Sequence, residues 1–323
     1  MSLDLIGMGE ILIDFVAAEY GSYIDVKLFQ KCFGGAPMNT IVGAARLGLR
    51  TGVVTAVGED PFGMFLIREL EDNGVDTSYV KIKKGMRTTI SFVTNEPETG
   101  ERTFIFYRKP WVSGTADSSL SIEDIDMNYI SRAKILHISG FSLSQNPSGR
   151  VILEAVKQAR SLGIRISFDP TLRLDVWRSA ETIKRVYRKA LRLSNIATFS
   201  LEESAFIFGT ENPEKVAEKA FKYGVDIVGV KMGSKGAFLQ MKTGEKEHLP
   251  AFKVKAIDTT GAGDGWNAGL LTGLVREWDL HTCLLVANAV GALVVTKRGA
   301  ITALPYKHEL EKFLKTNSVE ITL

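Results

Sequence analysis

The chain of 323 residues predicts an α/β protein built on a doubly wound, mostly parallel sheet. Three observations predict it: short apolar runs without polar alternation, stretches of helical periodicity between them, and a length that suits one large α/β domain or two medium ones. Parallel strands covered on both faces read as continuous apolar runs because neither face meets water. "LDLIGMG", "TGVVTAVG", "KILHIS", "IRISFD", "NIATFS" and "DIVGVKMG" have that character.

The elements follow in order. After the first strand, "ILIDFVAAEYGSYIDVKLFQKCFGG" holds strand-like runs around Gly21 and no good helix; "APMNTIVGAARLG" then reads as a helix leading to the second apolar run. "FGMFLIRELEDNG" sorts Phe65, Ile67 and Leu70 from Glu71 at helical spacing. Gly85 to Arg108, "GMRTTISFVTNEPETGERTFIFYR", reads as a β-hairpin with a polar "NEPETG" turn. "SGRVILEAVKQARSLG" is a helix stopped by Gly163, and "GWNAGLLTGLV" and "HTCLLVANAVGALVV" are late helices. The two helix-free stretches leave the main sheet, giving a β lid of residues 11–33 and 85–108 over an α/β core of 1–10, 34–84 and 109–323. A lid over strand ends is a usual place for a substrate site that must exclude water. Exposed strands of a small β layer tend to be covered by a partner chain, so a homodimer through Ile11–Gly34 and Gly85–Arg108 is expected.

A net charge of +3 is a small imbalance, which gives no electrostatic case for nucleic acid or an anionic membrane. Cys32 and Cys283 lie far apart and outside metal-ligand spacing, as expected of reduced thiols in a cytoplasmic protein. The stretch "CLLVANAVGALVV" is too short to span a bilayer. The dipeptide Gly-Lys is absent, which removes the P-loop; there is no serine-hydrolase elbow and no HExxH zinc helix.

"DTTGAGDGWNAGLL", Asp258 to Leu271, poses a chemical puzzle. Backbone N–H groups of Ala262, Gly263 and Asp264 at a helix start attract an anion, yet Asp264 plants a carboxylate among them. The combination makes sense if a neutral second ligand presents a hydroxyl beside a phosphoryl group: Asp264 takes the proton while the amides hold the developing charge. Read alone, Asp264 could instead be a helix cap.

"DTTGAGD" resembles the second signature of the PfkB, or ribokinase-like, carbohydrate kinase family, and "FGGAPMNTIVGAARLG" resembles the first. "GEILIDF", "VGEDPFG", "FYRKP", "SFDPTLRLDVW", "VKMGSKGAFL" and "TKRGAITALP" follow in the family's order over nearly the whole chain. The resemblance implies a three-layer α/β/α sandwich with a β lid, with ATP and Mg2+ as cofactors. It places the catalytic base on Asp264 and the anion hole on Gly261, Ala262 and Gly263. Asp14, Gly35 and Asn39 fall at sugar-binding positions; alone, Asn39 is also a cap or solvent-facing residue. Gly233, Ser234 and Gly236 border ATP, with Lys231 where threonine is frequent, and Asn288 falls near adenine; alone, Asn288 is also a satisfied core amide. The family's Asn-x-x-Glu falls on Ser200 to Glu203, so Glu203 would hold Mg2+ through water, with Glu202 adding a second carboxylate. Backbone carbonyls of Asp258, Thr260 and the Val295, Arg298 and Ala300 loop would form a K+ site.

"GGAP", "FYR" and "DPTLRLDVW" resemble the fructokinase branch, with Thr171 where asparagine is common. Arg108 and Arg173 as substrate contacts suit sugar hydroxyls or the carboxylate of 2-keto-3-deoxygluconate, and Arg173 equally suits an ATP phosphate or a salt bridge to Asp169 or Asp175. Ribose, an aminoimidazole riboside and a non-catalytic sugar or nucleotide sensor stand as alternatives.

Overall fold

In the computed structural model, which describes residues 2–95, 102–108, 110–319 and 321, the chain forms two sheets flanked by helices. The elements are β1 (Leu3–Met8), β2 (Leu12–Ala17), β3 (Phe29–Gly34), α1 (Ala36–Arg46), β4 (Thr51–Gly58), α2 (Pro61–Asp72), β5 (Asp76–Lys83), β6 (Thr89–Asn95) and β7 (Arg102–Tyr107). They continue through α3 (Met127–Ile130), β8 (Ala133–Ser139), α4 (Ser148–Ser161), β9 (Arg165–Asp169), α5 (Ala180–Leu193), β10 (Ile196–Ser200), α6 (Leu201–Phe208) and α7 (Pro213–Phe221). Last come β11 (Ile227–Lys231), β12 (Ala237–Met241), β13 (Lys246–Leu249), α8 (Ala262–Val275), α9 (Leu280–Val294) and α10 (Lys307–Thr316).

The large sheet has the order β13-β12-β11-β10-β9-β8-β1-β4-β5. Pairing is parallel from β11 to β5, and only β12 runs against the other strands, pairing antiparallel with β11 and β13, as the mostly parallel expectation requires. Successive strand residues serve opposite faces: Leu5, Val53 and Ile135 join one core with α1, α2, α8, α9 and α10, whereas Ile6, Val54 and Leu136 join a second with α3 to α7. That division explains why the strands read as unbroken apolar runs. The second sheet has the order β3-β2-β6-β7, with β2 parallel to β6 and the other pairs antiparallel. The polar turn expected between β6 and β7 lies, from residue 96, outside the described residues. Among those residues, no helix is long and apolar enough to cross a membrane.

Within the small sheet Phe15 stacks on Phe92 at 5.3 Å, and an edge contact from Phe15 to Phe62 of α2 at 5.6 Å pins the sheet to the core. The chain then turns from β3 into α1 through Gly35, whose φ of 115° belongs to glycine and whose missing Cβ would meet the Glu10 carbonyl at 2.5 Å. Gly35→Ala is therefore expected to destabilise the protein by about 1–3 kcal/mol. Thermal unfolding followed by circular dichroism checks this, and an unchanged midpoint contradicts it.

Candidate active site

The polar residues of the site sit at the carboxyl ends of parallel strands, where open α/β sheets bind ligands. Ser139 ends β8, Asp169 ends β9, Ser200 ends β10, Lys231 ends β11, and Glu10 lies two residues beyond β1. Glu10 is buried and accepts from Ser139 Oγ at 2.6 Å, from Ser142 Oγ, and from the Ala36 N–H at 3.1 Å. It thus satisfies an orphan donor at the start of α1. The first turn of α1 carries Asn39, whose Nδ2 donates to Asp264 Oδ2 at 2.8 Å, and Thr40 Oγ1 donates to the Asp264 carbonyl at 3.3 Å. Asn39 is neither a cap nor solvent-facing: it is buried, and its Oδ1 has no partner.

Asp169 collects donors from three elements and from its own following loop. Its Oδ2 accepts from Asn267 of α8 at 2.6 Å, from Thr198 of β10 at 3.1 Å and from the Lys231 ammonium of β11. Its Oδ1 accepts the N–H and hydroxyl of Thr171, at 2.9 and 3.1 Å. Thr171 has φ 42°, unfavourable for a β-branched residue, and the two bonds hold it there. Asparagine tolerates that backbone better, which gives a local reason for the threonine to need its anchor.

At the start of α8, Gly261 has φ 73° and precedes a helix whose first-turn amides have no intrahelical carbonyl. The Ala262 N–H already donates to the Thr259 carbonyl at 3.2 Å, so the open amides are those of Gly263 and Asp264 rather than all three expected. Lys231 reaches the same place: a Cβ on Gly263 would stand 3.4 Å from its Nζ.

A cavity of about 1050 Å³ runs along this edge. Asp14, Gly35, Asn39 and Arg173 line its lid end, Gly261 to Asp264 and Lys231 its middle, and Gly233, Ser234, Gly236 and Asn288 the rest. Glu203, Thr260 and Val295 also face it, whereas Asp258, Arg298 and Ala300 do not line it. Arg108 needs correction as a substrate contact. It is fully buried, its Nε donates to Asp117 at 2.9 Å and its Nη1 to Ser144 Oγ at 2.8 Å, so a ligand in the cavity does not reach it.

Arg173 makes no salt bridge to Asp169 or Asp175; its guanidinium lies 4.8 Å from the Phe104 ring centre and donates to the Leu172 carbonyl. Glu203 forms a capping box with Ser200 and also accepts the Leu172 N–H at 3.0 Å. Asn288 accepts from Trp266 Nε1 at 2.9 Å and donates to the Leu249 and Pro250 carbonyls, the satisfied amide of the bland reading, although it borders the cavity. The Val295 carbonyl accepts N–H groups of both Ile257 and Asp258, which commits both lone pairs and removes it as a cation ligand in this arrangement. Arg298 and Ala300 carbonyls each accept one internal donor. Glu10, Asp169, Asn267 and Arg102, which pairs with Asp258, complete the site beyond the sequence reading. For Glu10 and Asp169 the signal is an acid just past an apolar run; Asn267 within α8 and Arg102 at the start of β7 carry no such mark.

Burial, with the charges of Asp169 and Glu10, pushes the Asp264 carboxyl up to about 7 against the opposing Asn39 bond and Lys231 charge. Burial likewise raises Asp14 to about 6, against its bond from Ser91 and the charges of Arg173 and Arg102. Burial works to raise Asp169 too, but Lys231 and Asn267 hold it below the usual range. A proton acceptor tuned near neutrality beside two open helix amides can activate a hydroxyl while an anion is held alongside.

A family model described as pfkB family carbohydrate kinase matches residues 3–307. Probable fructokinase-6, chloroplastic, of Arabidopsis thaliana is 38% identical, covering 95% of this chain and 81% of that protein. Fructokinase of Escherichia coli is 34% identical over 96% and 99%. Among solved structures, a Vibrio cholerae fructokinase double mutant in fructose, ADP and potassium ion bound form superposes with TM-score 0.85 at 33% identity, covering 97% of this chain and 99% of that one. A putative Ribokinase II from E. coli in complex with ATP and Mg+2 superposes with TM-score 0.87 at 30% identity over 97% and 99%.

The raised Asp264 carboxyl has a consequence for stability. Its folded pKa lies above the unfolded value, so its contribution is complete below about pH 4 and is lost as pH rises through about 7. Asp264→Asn is expected to be the more stable protein at pH 8, by on the order of 4 kcal/mol, with the gap closing towards pH 4. Urea unfolding of both proteins across that range checks it; a pH-independent difference contradicts the assignment.

Proposed function

The chain belongs to the pfkB family of carbohydrate kinases, and from that premise we propose that it is an ATP-dependent fructokinase forming fructose 6-phosphate. The observation that carries the reading is Asp264, a carboxylate tuned near neutrality at the start of α8, beside the open amides of Gly263 and Asp264 and the Lys231 ammonium. Full-length similarity to fructokinases supports the choice of sugar.

The sugar lies at the lid end, with Asp14 and Asn39 offering acceptors and donors to its hydroxyls and Gly35 leaving room for them. Asp264 removes the proton of the O6 hydroxyl; that oxygen bonds to the γ-phosphorus, and the bond to the β–γ bridging oxygen breaks with its electron pair leaving on ADP. The α8 amides hold the charge on the transferring group. ATP occupies the stretch from Gly233, Ser234 and Gly236 towards Asn288.

Among the described residues, no three His, Cys, Asp or Glu side chains cluster as a metal cage. Glu203 and Glu202 line the cavity and would serve as outer partners of a Mg2+ held mainly by phosphate oxygens and water, which would neutralise the charge of ATP. For K+, the carbonyls of Asp258, Thr260, Arg298 and Ala300 are the residues of this chain that would contribute. Arg102 and Arg173 at the lid end favour one second reading, an acidic sugar such as 2-keto-3-deoxygluconate, through carboxylate pairing. Two unpaired thiols fit a cytoplasmic protein. The β3-β2-β6-β7 layer is a lid whose exposed Ile24, Leu28, Ile105 and Tyr107 support dimerisation.

ATP-dependent ADP release is expected to show the highest kcat/KM with fructose among fructose, 2-keto-3-deoxygluconate, ribose and an aminoimidazole riboside. Asp264→Asn should lower kcat by about 10³-fold, and the wild-type rate should fall as pH drops below about 7, where the base is protonated. Near-normal turnover of the variant removes the base, and preference for the keto acid changes the substrate. Light scattering at micromolar concentration should give twice the 35.5 kDa chain mass, and a monomer mass excludes the lid dimer.

A further inference from the structure

Resting on the kinase reading, we infer that Lys231 is a phosphate-binding residue held in reserve by Asp169, exchanging that carboxylate for the transferring phosphoryl group when nucleotide binds. Three features carry the inference. The first is a convergence of positive charge: the Nζ lies 3.4 Å from where a Cβ of Gly263 would be, so an ammonium and the positive end of α8 meet at one spot. Together the ammonium and the open amides make a favourable place for an anion. Asp169 pairs with the lysine, and the charges of Glu203 and Asp264 also act on it.

The second feature is the crowding of one oxygen. Asp169 Oδ2 accepts from Lys231, Asn267 and Thr198, one donor more than its two lone pairs accommodate well. Departure of the lysine leaves Asp169 with Asn267 and Thr198 on that oxygen and Thr171 on the other. Of the donors, Lys231 is the one on a flexible four-carbon stem. Release therefore costs little hydrogen bonding.

The third feature is the distribution of charge along the cavity. Glu10, Asp169, Glu203 and Asp264 line the same region, so an incoming phosphate meets a strongly acidic wall. The other lining cations among the described residues, Arg102 and Arg173, stand at the lid end, the first paired with Asp258 and the second over Phe104. Lys231 is the cation at the α8 start. Asp169 is then a positioning residue, acting through the lysine.

The test compares Lys231→Met, Lys231→Arg and the double variant Lys231→Met/Asp169→Asn with wild type. ATP and ADP affinities are measured by calorimetry in EDTA, and kcat and KM for ATP and for fructose by ADP release. Lys231→Met is expected to weaken ATP about tenfold more than ADP, a charge-assisted contact to the terminal phosphate being lost. It should lower kcat by roughly 100-fold while KM for fructose stays within about twofold. Lys231→Arg should recover part of the loss. The double variant, which removes both charges and so relieves the unpaired carboxylate, should remain as impaired as Lys231→Met. If it regains wild-type ATP affinity and kcat, the lysine only neutralises Asp169 and the inference fails; equal loss of ATP and ADP affinity also overturns it. A wild-type protein that phosphorylates none of the sugars sinks the kinase reading instead, and the difference between ATP and ADP affinities still decides the role of Lys231.

Discussion

The carboxylate of Asp169 is the interaction around which the site is assembled. It ties the end of β9 to β10 through Thr198, to β11 through Lys231, to α8 through Asn267 and to its own following loop through Thr171. A buried anion costs several kcal/mol unless it is paired and hydrogen-bonded, and here each donor comes from an element that must be in register for the bond to form. The carboxylate consequently fixes where α8 begins relative to the sheet. Since Asp264 lies in the first turn of that helix, its position depends on a residue that does not touch it.

A second acid performs the same task from the other side. Glu10 sets the start of α1 through Ala36, and α1 presents Asn39 to Asp264. Asp264 is thus held between two helices whose starts are each registered by a carboxylate at a strand end. The cost is the burial of charge, which raises the carboxyls of Glu10, Asp264 and Glu203, reinforced at Asp264 and Glu203 by neighbouring acids. Raised basicity is an asset for a proton acceptor, so the burial that works against the fold works for the chemistry.

The strands were legible because both sheet faces are buried, and the helix starting at "TGAGD" was legible because glycine and a small residue mark its entry. The ties of Asp169 were not, because Lys231 lies 62 residues away and Asn267 lies 98, and such pairing depends on sheet order rather than on local pattern. Arg108 misleads for a related reason: a guanidinium in an apolar segment reads the same whether it faces a cavity or an internal Asp117. Ser200-x-x-Glu203 is a capping box by sequence as well as by structure, and a reading of it as a water-binding pattern alone passes over its local work.

The placement of polar residues at strand ends separates two kinds of sequence constraint. Ile166 and Phe168 of β9, and Val228 and Val230 of β11, pack into the core, while Asp169 and Lys231, the next residues along, carry the polar ties. A change of chemistry therefore needs substitution at the last residue of a strand and in the loop beyond it, with the packed interior left alone. For redesign, this edge can be varied combinatorially on a scaffold whose folding information lies elsewhere, provided that the Asp169 and Glu10 anchors are retained.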